Sequence, residues 1–190
     1  MTATDHERGL LPDNALRALL WGGAGTLLLL PWIAMQFTAE VNWDGFDFLV
    51  FGAMLLTACI ACEIAVRASR SNTYRLAAAM AAGTGFLLVW VNLAVGIIGS
   101  ENNLENLVYA GVLAVAAIGA AVARLRASGM ARAMLITASV HALTGIYGLA
   151  IGSMEAAVSA VVFVAAWLAS AWSFHRAARV AGRMESDASA

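Results

Sequence analysis

The sequence predicts an all-α polytopic membrane protein, six transmembrane helices arranged as three consecutive hairpins. Three observations predict it. The 190-residue chain is 62% hydrophobic with only 12% charged residues, too few polar groups to cover a water-soluble domain of this size. Apolar runs of about 20 residues, the length that roughly 30 Å of hydrocarbon requires, recur between short polar segments. All 11 basic residues are Arg, and each lies in a tail, in the second or fourth connection, or at an adjoining helix end.

The runs cover approximately residues 16–37, 46–67, 75–98, 104–125, 131–152 and 155–176 of a single integral domain spanning 1–190. Residues 1–14 form a polar head without the apolar core and small-residue cleavage site of a secretory signal, so the first helix is expected to be retained. That helix carries the flat stretch "WGGAGT" (21–26) and, near its far end, Pro31, which removes an intrahelical hydrogen bond. The second helix opens after Asn42, an N-cap candidate with Asp44 just inside. It holds Cys59, Cys62 and Glu63. The third and fourth helices contribute Thr84 and Asn92, and alanines at four-residue spacing, Ala77 with Ala81 and Ala116 with Ala120, beside Gly119. Asn102 with Glu105 repeats the capping pattern. On the fifth helix Gly148 and Gly152 make a GxxxG step for close helix approach, and Ser153 with Glu155 caps the sixth. Residues 177–190 form the second polar tail.

The arginine distribution sets the orientation. Arg17, Arg67, Arg70, Arg75, Arg124, Arg126, Arg132, Arg176, Arg179 and Arg183, with Arg8 in the head, place both termini in the cytoplasm by the positive-inside rule. The inner, plasma membrane of the cell is the expected location. Glu40, Asp44, Asp47, Glu101, Glu105 and Glu155 then face the other side.

Comparison of the hairpins gives a period of about 57 residues. Arg17, Arg75 and Arg132 correspond, as do Thr26, Thr84 and His141, then Trp32, Trp90 and Tyr147, and Phe51, Tyr109 and Trp167. A pseudo-threefold repeat would set Thr26, Thr84 and His141 at one depth, although arginines at the inner boundary and aromatics at the outer one produce a similar period without common descent. "LLLLPWIAMQF" followed by "NWD" resembles the bacterial SPW-repeat membrane proteins, whose two-helix units carry Ser-Pro-Trp at the outer end of the first helix and a Trp-Asn pair near the second. Leu30 stands where that motif has Ser, Asn42-Trp43 reverses the pair, and the second and third hairpins lack the Pro-Trp. The resemblance covers one hairpin. It implies membrane location and no defined activity.

His141 is the most conspicuous candidate for chemistry. Nine residues from Arg132, roughly 13 Å along a helix, it falls near mid-bilayer, where an ionisable group needs a partner. Proton relay, haem ligation and metal ligation are the functional readings; a neutral imidazole donating to Thr84, Thr26 or Asn92 is the structural reading, and the favoured one. A bis-His haem would need a second axial His. His175 lies at another depth and His6 in the head, so no cofactor is expected.

Cys59 and Cys62 form a CxxC within one helical run, with no second pair to complete a metal site, and read as small packing residues. Glu63 is four residues from Arg67, the spacing of a same-helix ion pair. Asn92, Thr84, Thr26, His141 and Glu63 together are the candidate intramembrane polar path. Glu40, Asp44, Asp47, Glu101 and Glu105, with Gln36, Asn102 and Asn103 nearby, are the candidate acidic outer mouth. Glu40, Asp44 and Asp47 share a helix face only if the second helix begins before Asn42.

No GxxxxGK[ST], HExxH, GxSxG or paired CxxC occurs, so nucleotide hydrolysis, zinc proteolysis and serine hydrolysis lack their usual groups. No segment outside the spans offers a nucleic-acid surface. The expected role is a non-catalytic accessory or structural subunit whose partners are the lipid bilayer and a membrane protein or a second copy. The alternative is a small transporter or channel for a cation or protonated solute.

Overall fold

The computed structural model describes residues 13–188, so His6, Arg8 and the rest of the head through residue 12 lie outside the described residues. All regular structure among the described residues is helical. The elements are α1 (Asp13–Ala34), α2 (Gly45–Ala68), α3 (Asn72–Ala94), a 3-10 turn (Leu104–Asn106), α4 (Leu107–Val122), α5 (Ala127–Ala150) and α6 (Met154–Ala188). Six helices are long and apolar enough to cross a membrane. Their outward faces are apolar too: Val122, Val161 and Ile118 stand 79%, 72% and 63% exposed, a surface that suits hydrocarbon rather than water.

The chain forms two compact units, the first through Asn72 and the second from Thr73. In the first, α1 runs beside α2. Arg17 Nε donates to Glu63 Oε2 at 3.0 Å, the Cys59 thiol points at Leu20 O at 3.8 Å, and Leu28 lies over Gly52. Pro31 sits inside α1 without ending it. Helix α2 starts two residues later than the Asn42 cap predicts. Asp44 is the cap: its carboxylate accepts from Phe46 N and Asp47 N, and Asp47 Oδ2 accepts from Asp44 N at 2.9 Å, a reciprocal capping box. A carboxylate reaches two orphan N–H groups here and also favours the positive helix end.

In the second unit α6 meets α5 along most of α5, and α4 packs on the other flank of α5. The Ser170 hydroxyl, fully buried, donates to Ala77 O at 2.8 Å and so ties α6 to α3. Tyr74 Oη donates to Leu125 O at 2.7 Å while its ring meets Phe174 edge-on. The predicted repeat is not displayed in these pairings: α3 and α4 are joined through a long loop, and α4 keeps its close contact for α5.

The α5–α6 turn places the site. Ser153 N donates to Gly148 O at 2.8 Å and Gly152 N to Leu149 O at 3.1 Å, with Gly152 at φ +83°. This is a Schellman motif with glycine in the left-handed position. Gly152 therefore lies in the connection, not on the helix face that the GxxxG spacing assigned to it. Ser153 at once caps α6, its Oγ accepting from Ala156 N at 3.3 Å. The close-approach pair on α5 is instead Gly145 and Gly148. A Cβ on either would overlap the methyl of Ala160 or Ala156 respectively. Gly119 plays the same part between α4 and α5, against Ala133.

The end of α4 is a second Schellman turn, with Leu125 N on Ala120 O and Arg124 N on Ala121 O. Here Arg124, at φ 48°, holds the position glycine usually takes. After α3, Gly96 (φ +70°) is covered by the backbone of Ser100, which leaves no room for a Cβ. Helix α6 continues to Ala188, well past residue 176.

Gly148→Leu should prevent the approach to Ala156 and cost about 1–3 kcal/mol, the range for overpacking. Gly152→Ala should cost about 1 kcal/mol through its left-handed backbone. Thermal unfolding in mild detergent measures both, and the order Gly148→Leu worse than Gly152→Ala is the expected result.

Candidate functional site

Helices α5 and α6 run antiparallel from a tight turn, so residues equally far from it oppose one another. That register sets His141 opposite Phe163 and brings Trp167, one turn further along α6, within reach of the imidazole. The indole Nε1–H donates to His141 Nδ1 at 3.3 Å, with His141 0% and Trp167 1% exposed. An indole can only donate, so Nδ1 must accept and the ring proton of this neutral imidazole lies on Nε2. Nε2 has no hydrogen-bond partner among the described residues. Phe163 stacks on the imidazole, ring centroids 5.4 Å apart and planes 17° apart, and Tyr109 leans against it from α4 at 5.6 Å.

Tyr109 Oη is the second buried polar atom here without a well-aligned bond. The hydroxyls of Ser159 and Thr144 flank it, yet each donates elsewhere, to Ala156 O at 3.0 Å and His141 O at 2.7 Å. The site is thus an aromatic enclosure around one imidazole. It holds a proton on Nε2 and a phenol proton nearby, with no carboxylate or cation among the contacts described.

The other sequence-chosen residues have partners of their own. Thr84 and Asn92 do not serve His141: Thr84 Oγ1 donates to Met80 O at 2.7 Å and Asn92 Nδ2 to Leu88 O at 3.1 Å, each one turn back on α3. Thr26 does the same to Gly22 O in the first unit. A hydroxyl that bonds its own helix needs no cross-helix partner, whereas Asn92 Oδ1 is buried without a hydrogen-bond partner among the described residues. Glu63 joins Arg67 at 2.7 Å as its spacing predicts, and Arg17 completes a three-membered ion cluster with the carboxylate only 14% exposed. Cys59 and Cys62 are free thiols. Among the described residues no group of three or more His, Cys, Asp and Glu is placed to hold a metal.

The predicted acidic mouth resolves into local roles. With α2 beginning at Gly45, Glu40 falls in the preceding loop, its N–H on Thr38 Oγ1 at 3.1 Å, and the three acids share no helical stripe. Asp44 and Asp47 cap. In the second unit Glu101 accepts from Asn102 Nδ2 at 2.9 Å, and Glu105 faces the Tyr147 hydroxyl at 3.4 Å. The cap of the 3-10 turn is Asn103, not Asn102; its Oδ1 accepts from Glu105 N at 3.1 Å.

Sequence reasoning missed Asn106. Its Oδ1 accepts from Ile97 N and Ile98 N, at 3.1 and 2.9 Å, while Nδ2 donates to Ile98 O and Ser100 O, at 3.2 and 2.8 Å. One amide closes the loop between α3 and α4. Four asparagines in and around that loop compete for the role, which is why no local signal singles it out. Trp167 was read only as a repeat position; it lies one turn beyond Phe163, the residue whose distance from the turn matches that of His141.

No family model, no curated protein and no solved structure matches this chain.

Trp167→Phe should strand Nδ1 of His141 and cost about 1–3 kcal/mol, the penalty of an unmade buried bond. Adding His141→Phe removes the stranded atom, so the double variant should unfold at a higher temperature than Trp167→Phe alone. Asn106→Ala leaves two buried amide groups without acceptors; faster amide exchange confined to residues 97–106 is the expected signature.

Proposed function

We propose that this chain is a non-catalytic multi-pass protein of the inner, plasma membrane, with both termini cytoplasmic, acting as a small accessory or structural subunit of a membrane assembly. The observation that carries the reading is an unfilled glycine face on α1. Arg17, Leu20 and Leu28 lie on the side of α1 that meets α2. By helical periodicity Gly22 falls on the opposite side, while Gly25, three residues before Leu28, lies at the edge of the facing side. A Cβ at Gly22, Gly23 or Gly25 would meet nothing within 4 Å. In hydrocarbon, where helices have no hydrophobic reason to associate, small residues serve close backbone approach. On α1 that approach is offered to a helix other than α2.

A non-catalytic role is supported by the commitment of polar side chains inside the spans. Glu63 is held by two guanidinium groups, the threonines by their own helices, and His141 by Trp167. The orientation rests on the arginine distribution. The one-hairpin SPW-repeat resemblance agrees with membrane residence.

Transport of a cation or protonated solute is the second reading, favoured by His141 Nε2 and Tyr109 Oη, two buried polar atoms without partners. Loss of flux in liposomes from a folded His141→Ala variant would support it.

Native mass spectrometry after mild extraction at native expression should find a stoichiometric partner subunit. Gly22→Leu with Gly25→Leu should release that partner without lowering the thermal stability of the isolated chain. A partner-free monomer in the unmodified protein would sink the accessory role and move the weight to transport.

A further inference from the structure

Gly148 meets Ala156 at the turn end of the α5–α6 seam, and the other end of the pair carries a groove. There a cavity of about 740 Å³ lies between the helices, lined by Arg132, His175, Arg179, Trp172, Leu135 and Leu168 among others. Its lining is ordered along the helices. Ser128 and Arg179 lie nearest the end of the pair away from the turn, Arg132 and His175 come next along the helices, and Leu135 and Leu168 are the lining residues nearest the turn, with the buried Ala131 and Ala171 between them. From Ser128 to Leu135 is roughly 10 Å of helix, so cationic headgroup-depth chemistry passes directly into apolar chain-depth chemistry. No Asp or Glu lines the cavity. The two ion pairs among the described residues use Arg17 and Arg67, so neither Arg132 nor Arg179 has a carboxylate partner there. Arg176, next to His175, is held over the Trp172 ring at 4.7 Å, which fixes an indole at the edge of the opening and adds charge beside it.

We infer that this groove is a binding site for an anionic glycerophospholipid, its phosphate between Arg132 and Arg179 and one acyl chain along Leu135 and Leu168. Guanidinium groups match phosphate oxygens in a bidentate fork. Basic pockets between membrane helices at the cytoplasmic side recognise acidic headgroups. A free phosphate would use the rim and leave the apolar floor wet, and a zwitterionic headgroup would bring its own cation to a rim that offers no anion. The inference needs the chain to reside in a bilayer, and it is independent of the accessory role.

The test is native mass spectrometry of the full chain in non-ionic detergent, titrated with phosphatidylglycerol and, separately, phosphatidylcholine of the same acyl chains. Phosphatidylglycerol should bind at least tenfold more tightly. Arg132→Gln with Arg179→Gln should weaken it tenfold or more, whereas Arg183→Gln, outside the groove, should change it less than threefold. Leu168→Trp keeps every charge and fills the chain track, so it too should weaken binding. It decides the matter if the double variant does not fold. Equal affinity for the two lipids, equal loss from Arg183→Gln, or full binding to Leu168→Trp would overturn the assignment. So would equally tight binding of glycerol phosphate, which would make the occupant a soluble anion.

Discussion

The contact of Gly148 with Ala156 sets the spacing of α5 and α6, and most of what is specific in the second unit follows from it. Two helices held at backbone distance near their turn have a fixed register along the rest of their length. Gly145 against Ala160 extends the contact by one turn. His141 then comes opposite Phe163 and Trp167, where a stacked ring and an indole N–H meet it. Further along, Ser170 faces α3 and Phe174 meets Tyr74. The Schellman turn at Gly152 and the Ser153 cap share adjacent residues, so α5 ends and α6 begins with no slack in between. A longer connection would leave the register to side chains alone.

Hydrocarbon imposes the second constraint. Every polar group in a span needs a partner within the protein, and the cheapest partner is the carbonyl one turn back. Thr26, Thr57, Thr84, Thr137, Ser139 and Ser173 all take it. These side chains satisfy themselves and do nothing to choose a neighbouring helix. Helix choice falls to a small set of polar contacts, Trp167 to His141, Ser170 to Ala77 and Tyr74 to Leu125, together with the small-residue seams. In the first unit the Arg17–Glu63–Arg67 cluster does that work near one end of the pair.

Length, helical class and the number of spans were legible in the sequence because each rests on a property summed over some twenty residues. The same-helix pair of Glu63 with Arg67 was legible because it is local. Capping failed by one or two residues where several Asn and Asp compete: Asp44 displaced Asn42 and Asn103 displaced Asn102, while the Asn106 side chain serves the preceding loop. The partner of His141 was not legible from its own surroundings. It depends on the length of a turn, and spacing alone read Gly152 as part of a helix face when its backbone makes it the turn. The helix pairings do not display the repeat, for a related reason. Matching positions in three hairpins share depth, but depth does not decide that Thr84 bonds its own helix while His141 bonds the next.

A seam that is tight at one end and open at the other separates two demands that would conflict in a uniform pair. Close packing at Gly145 and Gly148 fixes the register and excludes solvent from the imidazole. Alanines at 131, 171 and 178 leave space flanked by arginines. Larger residues there would fill the groove and add contact area, but they would also bury the stems of Arg132 and Arg179 or turn their heads away from it. Small residues thus serve opposite purposes at the two ends of the pair: near the turn they let backbones touch, and near the arginines they leave a groove between the side chains.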